Sequence, residues 1–212
     1  MYGTWFFDLD GTLADTDRDI REAWKAALAD LGLVCPDFDA RFVAGPPIDA
    51  MTKMLFPDIY TEQLAQDVRV GFARHYDHDG FPNTREYPGV LDEVRRLRAA
   101  GARAYIVTNK RYVAAQLMAA HFGWADAFDG VYAGDMHRDD PIGKLRKGAL
   151  LRLVMAEHGL RPEDCVMVGD TANDFEAARE AGIRSIGVGW GYGTEAELAT
   201  ADEVCRLLPF PT

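Results

Sequence analysis

Trp5-Phe6-Phe7-Asp8-Leu9-Asp10-Gly11-Thr12-Leu13-Ala14-Asp15-Thr16 carries the pattern from which the rest of the chain can be read. An apolar run of three, ended by charge and a Gly-Thr turn signal, predicts a short buried strand. Asp8 and Asp10 stand at its end, one residue apart. Like charges this close raise each other's pKa unless a cation or a shared proton relieves them. A divalent cation would relieve the pair and leave one carboxylate able to attack a substrate. A solvated turn after a strand, where Asp-Gly is common, is the plainer alternative. A calcium loop of the EF-hand kind is excluded, because Thr12 and Leu13 occupy the positions of its third ligand and its glycine.

Outward from this strand the rhythm changes twice. Between Asp17 and Arg85, Ile20, Ala23, Trp24, Ala27, Leu28 and Leu31 recur at helical spacing and stop at Gly32. Further helical patterns cover Ile48–Leu55 and Glu62 to about Tyr76, and nothing in the segment reads as a strand. From Tyr87-Pro88-Gly89 onward, helices and strands alternate. Ala104-Tyr105-Ile106-Val107, Gly130-Val131-Tyr132, Cys165-Val166-Met167-Val168 and Ser185-Ile186-Gly187-Val188 are the predicted strands. Val90–Leu97, Val113–His121, Gly148–His158 and Asn173–Ala181 are the predicted helices. Such alternation implies an α/β fold with a doubly wound parallel sheet and right-handed crossovers. The expected organisation is a core of residues 1–16 and 85–212, interrupted by a small all-helical insertion, 17–84.

Bulk properties narrow the function. Acidic residues outnumber basic ones 34 to 23, a net charge of −11, which argues against a nucleic-acid polymer as partner. Cys35, Cys165 and Cys205 are an odd set without metal-type spacing, which suits a reducing compartment. No run is long and apolar enough for a membrane span, and no leader pattern opens the chain, so a cytoplasmic location is expected.

In an open parallel sheet, ligands bind beyond the carboxyl ends of the strands. Four polar clusters fall there: Asp8 with Asp10, Thr108 with Asn109, the lysines Lys144 and Lys147, and Asp170 with Asp174. Thr108 could cap the following helix or hold phosphate oxygens beside backbone N–H groups. Asp170 and Asp174 could favour a helix N-terminus or complete the oxygen cage of a hard cation. A lysine here would offset a carboxylate and a phosphate held side by side. Gly187-Val188-Gly189-Trp190-Gly191-Tyr192-Gly193 fits no dinucleotide fingerprint and reads as a flexible connection near the site. His75 and His78 read as a helix end, Trp24 as core of the insertion, and Cys165 as buried and inert.

With these motifs in this order, the chain resembles the haloacid dehalogenase superfamily, and within it the phosphoglycolate phosphatase-like phosphatases. Asp8-Leu9-Asp10-Gly11-Thr12 matches the first motif, Val107-Thr108-Asn109-Lys110 the second, and Val168-Gly169-Asp170-Thr171-Ala172-Asn173-Asp174 the fourth. The third motif departs: many relatives carry Lys-Pro, whereas this chain has Pro141-Ile142-Gly143-Lys144-Leu145-Arg146-Lys147. Lys147, standing before a helix, is preferred over Lys144 as the motif lysine.

The resemblance implies a phosphatase acting on a small phosphorylated metabolite, with Mg²⁺ as cofactor and no membrane or nucleic-acid partner, as monomer or homodimer. Asp8 would be the nucleophile and Asp10 the general acid and base. An Asp8 oxygen, the Asp10 carbonyl and Asp170 would hold the metal, with Asp174 acting through water or on the shell. Thr108, Asn109 and Lys147 would grip the phosphoryl oxygens. The insertion would be a cap that selects substrate, with Arg18, Gly45 and Pro46 as candidate determinants; Gly45-Pro46-Pro47 equally suits a rigid turn before a helix. A 5′-nucleotidase, a sugar-phosphate phosphatase, a β-phosphoglucomutase-type phosphotransferase and a non-catalytic metabolite binder are the alternatives.

Overall fold

A computed structural model describes residues 2–78, 80–136 and 145–211. The chain forms two compact units, one of residues 1–15 and 85–212 and the other of 16–84. The elements of the first unit, in chain order around the second, begin with β1 (Thr4–Phe7) and β2 (Ala14–Asp15). The second unit contributes α1 (Asp17–Asp30), α2 (Phe38–Arg41), α3 (Ile48–Leu55) and α4 (Glu62–His78). The first unit then resumes with β3 (Arg85–Glu86), α5 (Val90–Ala99), β4 (Arg103–Thr108), α6 (Tyr112–His121) and β5 (Gly130–Ala133). It closes with α7 (Lys147–His158), β6 (Cys165–Gly169), α8 (Ala172–Ala181), β7 (Arg184–Val188), α9 (Glu195–Leu198) and β8 (Glu203–Cys205).

Six strands form one sheet in the order β5-β4-β1-β6-β7-β8, and each neighbouring pair is parallel. The chain builds outward from β1 on one side through β4 and β5, then returns to the other side through β6. This reversal places the topological switch point beside β1, where such sheets bind ligands. After Thr4, β1 is apolar and fully buried, because both of its faces are covered. Phe6 packs with Tyr105, Val107, Met167 and residues of α7 and α8, while Phe7 meets Phe128 and Phe210 at ring-centroid distances of 5.8 Å. Small elements escaped the sequence reading because two or three residues carry no period. These are the antiparallel ribbon β2–β3, pairing Ala14 with Glu86 and Asp15 with Arg85, and the edge strand β8.

Among the described residues of the second unit there are helices and no strand. α1 and α4 supply its core through Ile20, Ala23, Trp24, Ala27, Leu28, Val68, Phe72 and Tyr76. Trp24 lies between Phe42, which it meets edge-on, and Phe72, to which it is tilted, with ring centroids 5.6 and 6.1 Å apart. Gly71, inside α4, costs helix propensity but permits a close crossing: a side-chain carbon there would sit 3.1 Å from Ala27 Cβ. The Asp19 carboxylate, buried in the first turn of α1, accepts hydrogen bonds from Asn83 N–H, Asn83 Nδ2, Thr84 N–H and Thr84 Oγ1 at 2.7–3.1 Å. This clasp ties the exit of the unit to its entry helix. No helix among the described residues is long and apolar enough to cross a membrane.

Candidate active site

Strand register gathers the polar clusters. Phe7 lies opposite Ile106 of β4 and Val168 of β6, and the Asp8 N–H donates to the Val168 carbonyl at 2.9 Å. Asp8 therefore emerges where β1 stops, with Thr108 at the end of β4 on one side and Gly169-Asp170 on the other. Leu9 to Ala14 then close a tight turn, Leu13 N–H to Leu9 O and Gly11 N–H to Ala14 O, both 2.9 Å.

Lys147 joins this group as the first residue of α7, not the residue before the helix. Its Nζ lies 3.0 Å from Asp8 Oδ2 and 2.5 Å from Asp174 Oδ1, with only 3% of its side chain exposed. Asp174, in the first turn of α8, also accepts from the Thr171 N–H and hydroxyl at 3.2 and 3.1 Å. Asp170 Oδ2 accepts the Tyr192 N–H at 2.7 Å, and Thr12 Oγ1 donates to Asp170 Oδ1 at 3.4 Å. Lys144 lies outside the described residues.

Carboxylate oxygens of Asp8, Asp170 and Asp174 lie within 4.8 Å of one another. One atom of this cluster is orphaned: Asp8 Oδ1 is buried without a hydrogen-bond partner. An unsatisfied buried anionic oxygen is costly, and an all-oxygen donor set suits a hard divalent cation. The residues present thus fit Mg²⁺. The electrostatics agree. Burial raises the Asp8 carboxyl to about 6, against the pull of Lys147 and with Asp174 and Asp10 adding to it. Burial, then Asp174 and Asp8, raise Asp170 to about 8. For Lys147 burial acts downward, but Asp174 and Asp8 outweigh it and raise its pKa, so it keeps its charge.

Raised carboxyl pKa values fix the sign of the pH dependence. Their contribution to stability is present below the unfolded-state carboxylate range and is lost as pH rises through about 6 for Asp8 and about 8 for Asp170. Thermal melts of metal-free protein should therefore show Tm falling from about pH 4 to about pH 8, with Asp8 contributing up to about 6 and Asp170 up to about 8, and saturating Mg²⁺ should flatten that fall. Melts in EDTA and in Mg²⁺ across this range check it.

The N-cap position of α6 falls on Arg111 rather than on Thr108. Thr108 Oγ1 accepts the Lys110 N–H at 3.1 Å, while the start of α6 is capped by Asp135, whose Oδ1 accepts the Tyr112 N–H at 2.8 Å. Asn109 follows Thr108, half-buried. Lys110, which sequence reasoning quoted without a role, contacts Asp10: Nζ donates to Oδ1 at 2.8 Å. Its only signal in the sequence was its place directly after Thr108-Asn109.

Arg18, Gly45 and Pro46 belong to the second unit. Arg18 is exposed on α1, and Gly45 and Pro46 are exposed in the segment that leads into α3, with Pro47 at its N-cap. The segment Gly189–Gly193, expected to be a flexible connection, is closely packed instead. A side-chain carbon on Gly191 would overlap Asp170 Cβ and the Gly11 carbonyl, and one on Gly193 would overlap the Asp170 carbonyl. These glycines are there for close approach rather than mobility. His75 and His78 end α4, with His75 Nε2 2.9 Å from Asp30. Cys165 is fully buried in β6, and burial pushes its thiol up to about 11.

The family model of haloacid dehalogenase-like hydrolases matches residues 2–182. The chain is 31% identical over 199 residues to a 5′-nucleotidase of Pseudomonas aeruginosa, covering 93% of this chain and 87% of that one. It is 32% identical over 213 residues to a phosphoglycolate phosphatase of Chromobacterium violaceum, covering 95% and 92% of the two chains. Among solved structures, a haloacid dehalogenase-like family hydrolase from Streptococcus pneumoniae is similar with a TM-score of 0.81 and 28% identity, over 96% of this chain and 93% of that one.

Proposed function

The chain belongs to the haloacid dehalogenase-like hydrolase family, and we propose that it hydrolyses a small phosphomonoester through an aspartyl-phosphate on Asp8. The observation that carries this reading is the state of Asp8. One oxygen is gripped by a buried lysine at 3.0 Å, and the other is buried and unsatisfied, beside two further carboxylates.

In the first displacement an Asp8 oxygen bonds to phosphorus as the bond to the leaving oxygen breaks, and Asp10 delivers a proton to that oxygen. In the second, Asp10 takes a proton from water, whose oxygen bonds to phosphorus. The Asp8–phosphorus bond breaks, and inorganic phosphate leaves with Asp8 regenerated. Lys147 keeps a positive charge against the anion that Asp8 and phosphate form together. Thr108 and Asn109 donate to the remaining phosphoryl oxygens. Mg²⁺, held by Asp8, the Asp10 carbonyl and Asp170 with Asp174 behind them, would neutralise the charge of carboxylate meeting phosphate. Residues 17–84 would serve as the cap domain, closing over substrate and excluding water, with Arg18, Gly45 and Pro46 as its candidate determinants. The three cysteines, all free, suit a cytoplasmic enzyme.

The relatives' names nominate phosphoglycolate and nucleoside 5′-monophosphates as first substrates. Phosphate release should be measured over these and a set of sugar phosphates, with Mg²⁺ and with EDTA. The expected result is a preferred substrate whose turnover EDTA abolishes. Silence over the whole panel from protein that binds Mg²⁺, or turnover indifferent to EDTA, would overturn the proposal.

A further inference from the structure

The segment after β7, Gly189-Trp190-Gly191-Tyr192-Gly193, touches more than the carboxylate cluster. Tyr192 uses both of its donors: its backbone N–H holds Asp170 Oδ2 at 2.7 Å, and its phenol hydroxyl donates to Asp15 Oδ1 at 3.0 Å. Asp15 is the last residue of the first unit before the chain enters the second. Trp190 acts on the same neighbourhood. Its Nε1–H donates to the Thr12 carbonyl at 3.1 Å, and its ring lies 6.4 Å from that of Tyr87. Tyr87 follows β3, where the chain returns from the second unit, and its N–H donates to Leu13 O at 3.0 Å. Both connectors are thus held by a segment that also holds Asp170. Gly191 and Gly193 pass so close to Asp170 that a side-chain carbon on either would overlap it.

We propose that Tyr192 is a positioning residue that orients the Asp170 carboxylate and couples its placement to the connector at Asp15. The proposal rests on the reading of Asp170 as a cation ligand. A tyrosine side chain has two rotatable bonds and a rigid ring, so a displacement at its backbone N–H is carried to its hydroxyl rather than absorbed. Coupling of this kind is reciprocal: an event at Asp170 that tightens the bond to Asp15 is itself favoured when that bond is already made.

Amide hydrogen exchange of the full chain, with and without Mg²⁺, tests it, alongside calorimetric titration with Mg²⁺. In the wild type, Mg²⁺ should slow exchange in peptides covering 13–16 and 85–87 by about fivefold, the factor that one hydrogen bond is worth. Tyr192→Phe keeps the N–H on Asp170 and should keep Mg²⁺ binding, but lose the slowing. Asp15→Ala should lose it as well, and Asp15→Asn, which retains an acceptor oxygen, should keep it. Equal slowing in wild type and Tyr192→Phe would overturn the coupling. So would joint loss of slowing and Mg²⁺ binding in Tyr192→Phe, which would mean a general structural role. Absence of Mg²⁺ binding by the wild type would instead overturn the reading of Asp170 on which the proposal rests.

Discussion

Asp8→Asn should abolish turnover, lowering kcat by about four orders of magnitude or more, the scale on which enzymes lose activity when the nucleophile is removed. An amide nitrogen cannot replace the carboxylate oxygen that bonds to phosphorus, and the remaining oxygen is a poor nucleophile. The fold should survive. Asparagine fills the same volume, and the Asp8 N–H bond to the Val168 carbonyl belongs to the backbone. Because burial raises the Asp8 carboxyl to about 6, a neutral side chain at this position is welcome in the metal-free protein at neutral pH. Tm of the metal-free variant should therefore match or exceed that of the wild type. Steady-state kinetics on the preferred substrate and thermal melts in EDTA check both halves, and near-wild-type kcat would remove Asp8 from the mechanism.

Lys147→Ala should damage rate and stability together. The ammonium stands between Asp8 and Asp174, at 3.0 and 2.5 Å, essentially out of water. Removing it withdraws the cation that offsets nucleophile and phosphate, a loss of about 10²–10³ in kcat. It also leaves two buried carboxylates facing each other, and breaking a buried ion pair typically costs about 3–5 kcal/mol. Mg²⁺ should restore part of the stability, since it answers the same anions from the side of Asp170, but not the rate. Urea unfolding in EDTA and in Mg²⁺, with kcat measured in parallel, separates the two effects. Lys144→Ala should leave kcat near the wild-type value. Wild-type kcat in Lys147→Ala with collapse in Lys144→Ala would move the motif lysine by three positions.

The parts of this molecule that could be read from the chain are those whose local pattern and tertiary role coincide. β1, β4 and β6 are covered on both faces, so they appear as continuous apolar runs, and the polar residues that follow them mark where each strand stops. The helical unit was legible because Ile20, Trp24 and Leu28 share a face that is also its core. The pairings within the site were not legible. Lys147 and Asp174 are 27 residues apart and Lys110 and Asp10 are 100 apart, so only the crossover order of the sheet brings them together. Glycine spacing misled at Gly189–Gly193. Glycine is used both where a chain bends freely and where it must pass close to another, and only the position of Asp170 shows that the second applies. β2, β3 and β8 are too short to display alternation.

On the proposed mechanism, phosphate passes through a covalent bond to Asp8. Mixing the wild type with its preferred substrate, quenching in acid during turnover and mapping phosphoryl mass on its peptides tests this directly. A phosphorylated peptide containing Asp8, absent from Asp8→Asn, is the expected result. Phosphate released at the wild-type rate with no phosphoenzyme trapped, or phosphoryl mass on a different residue, would contradict it.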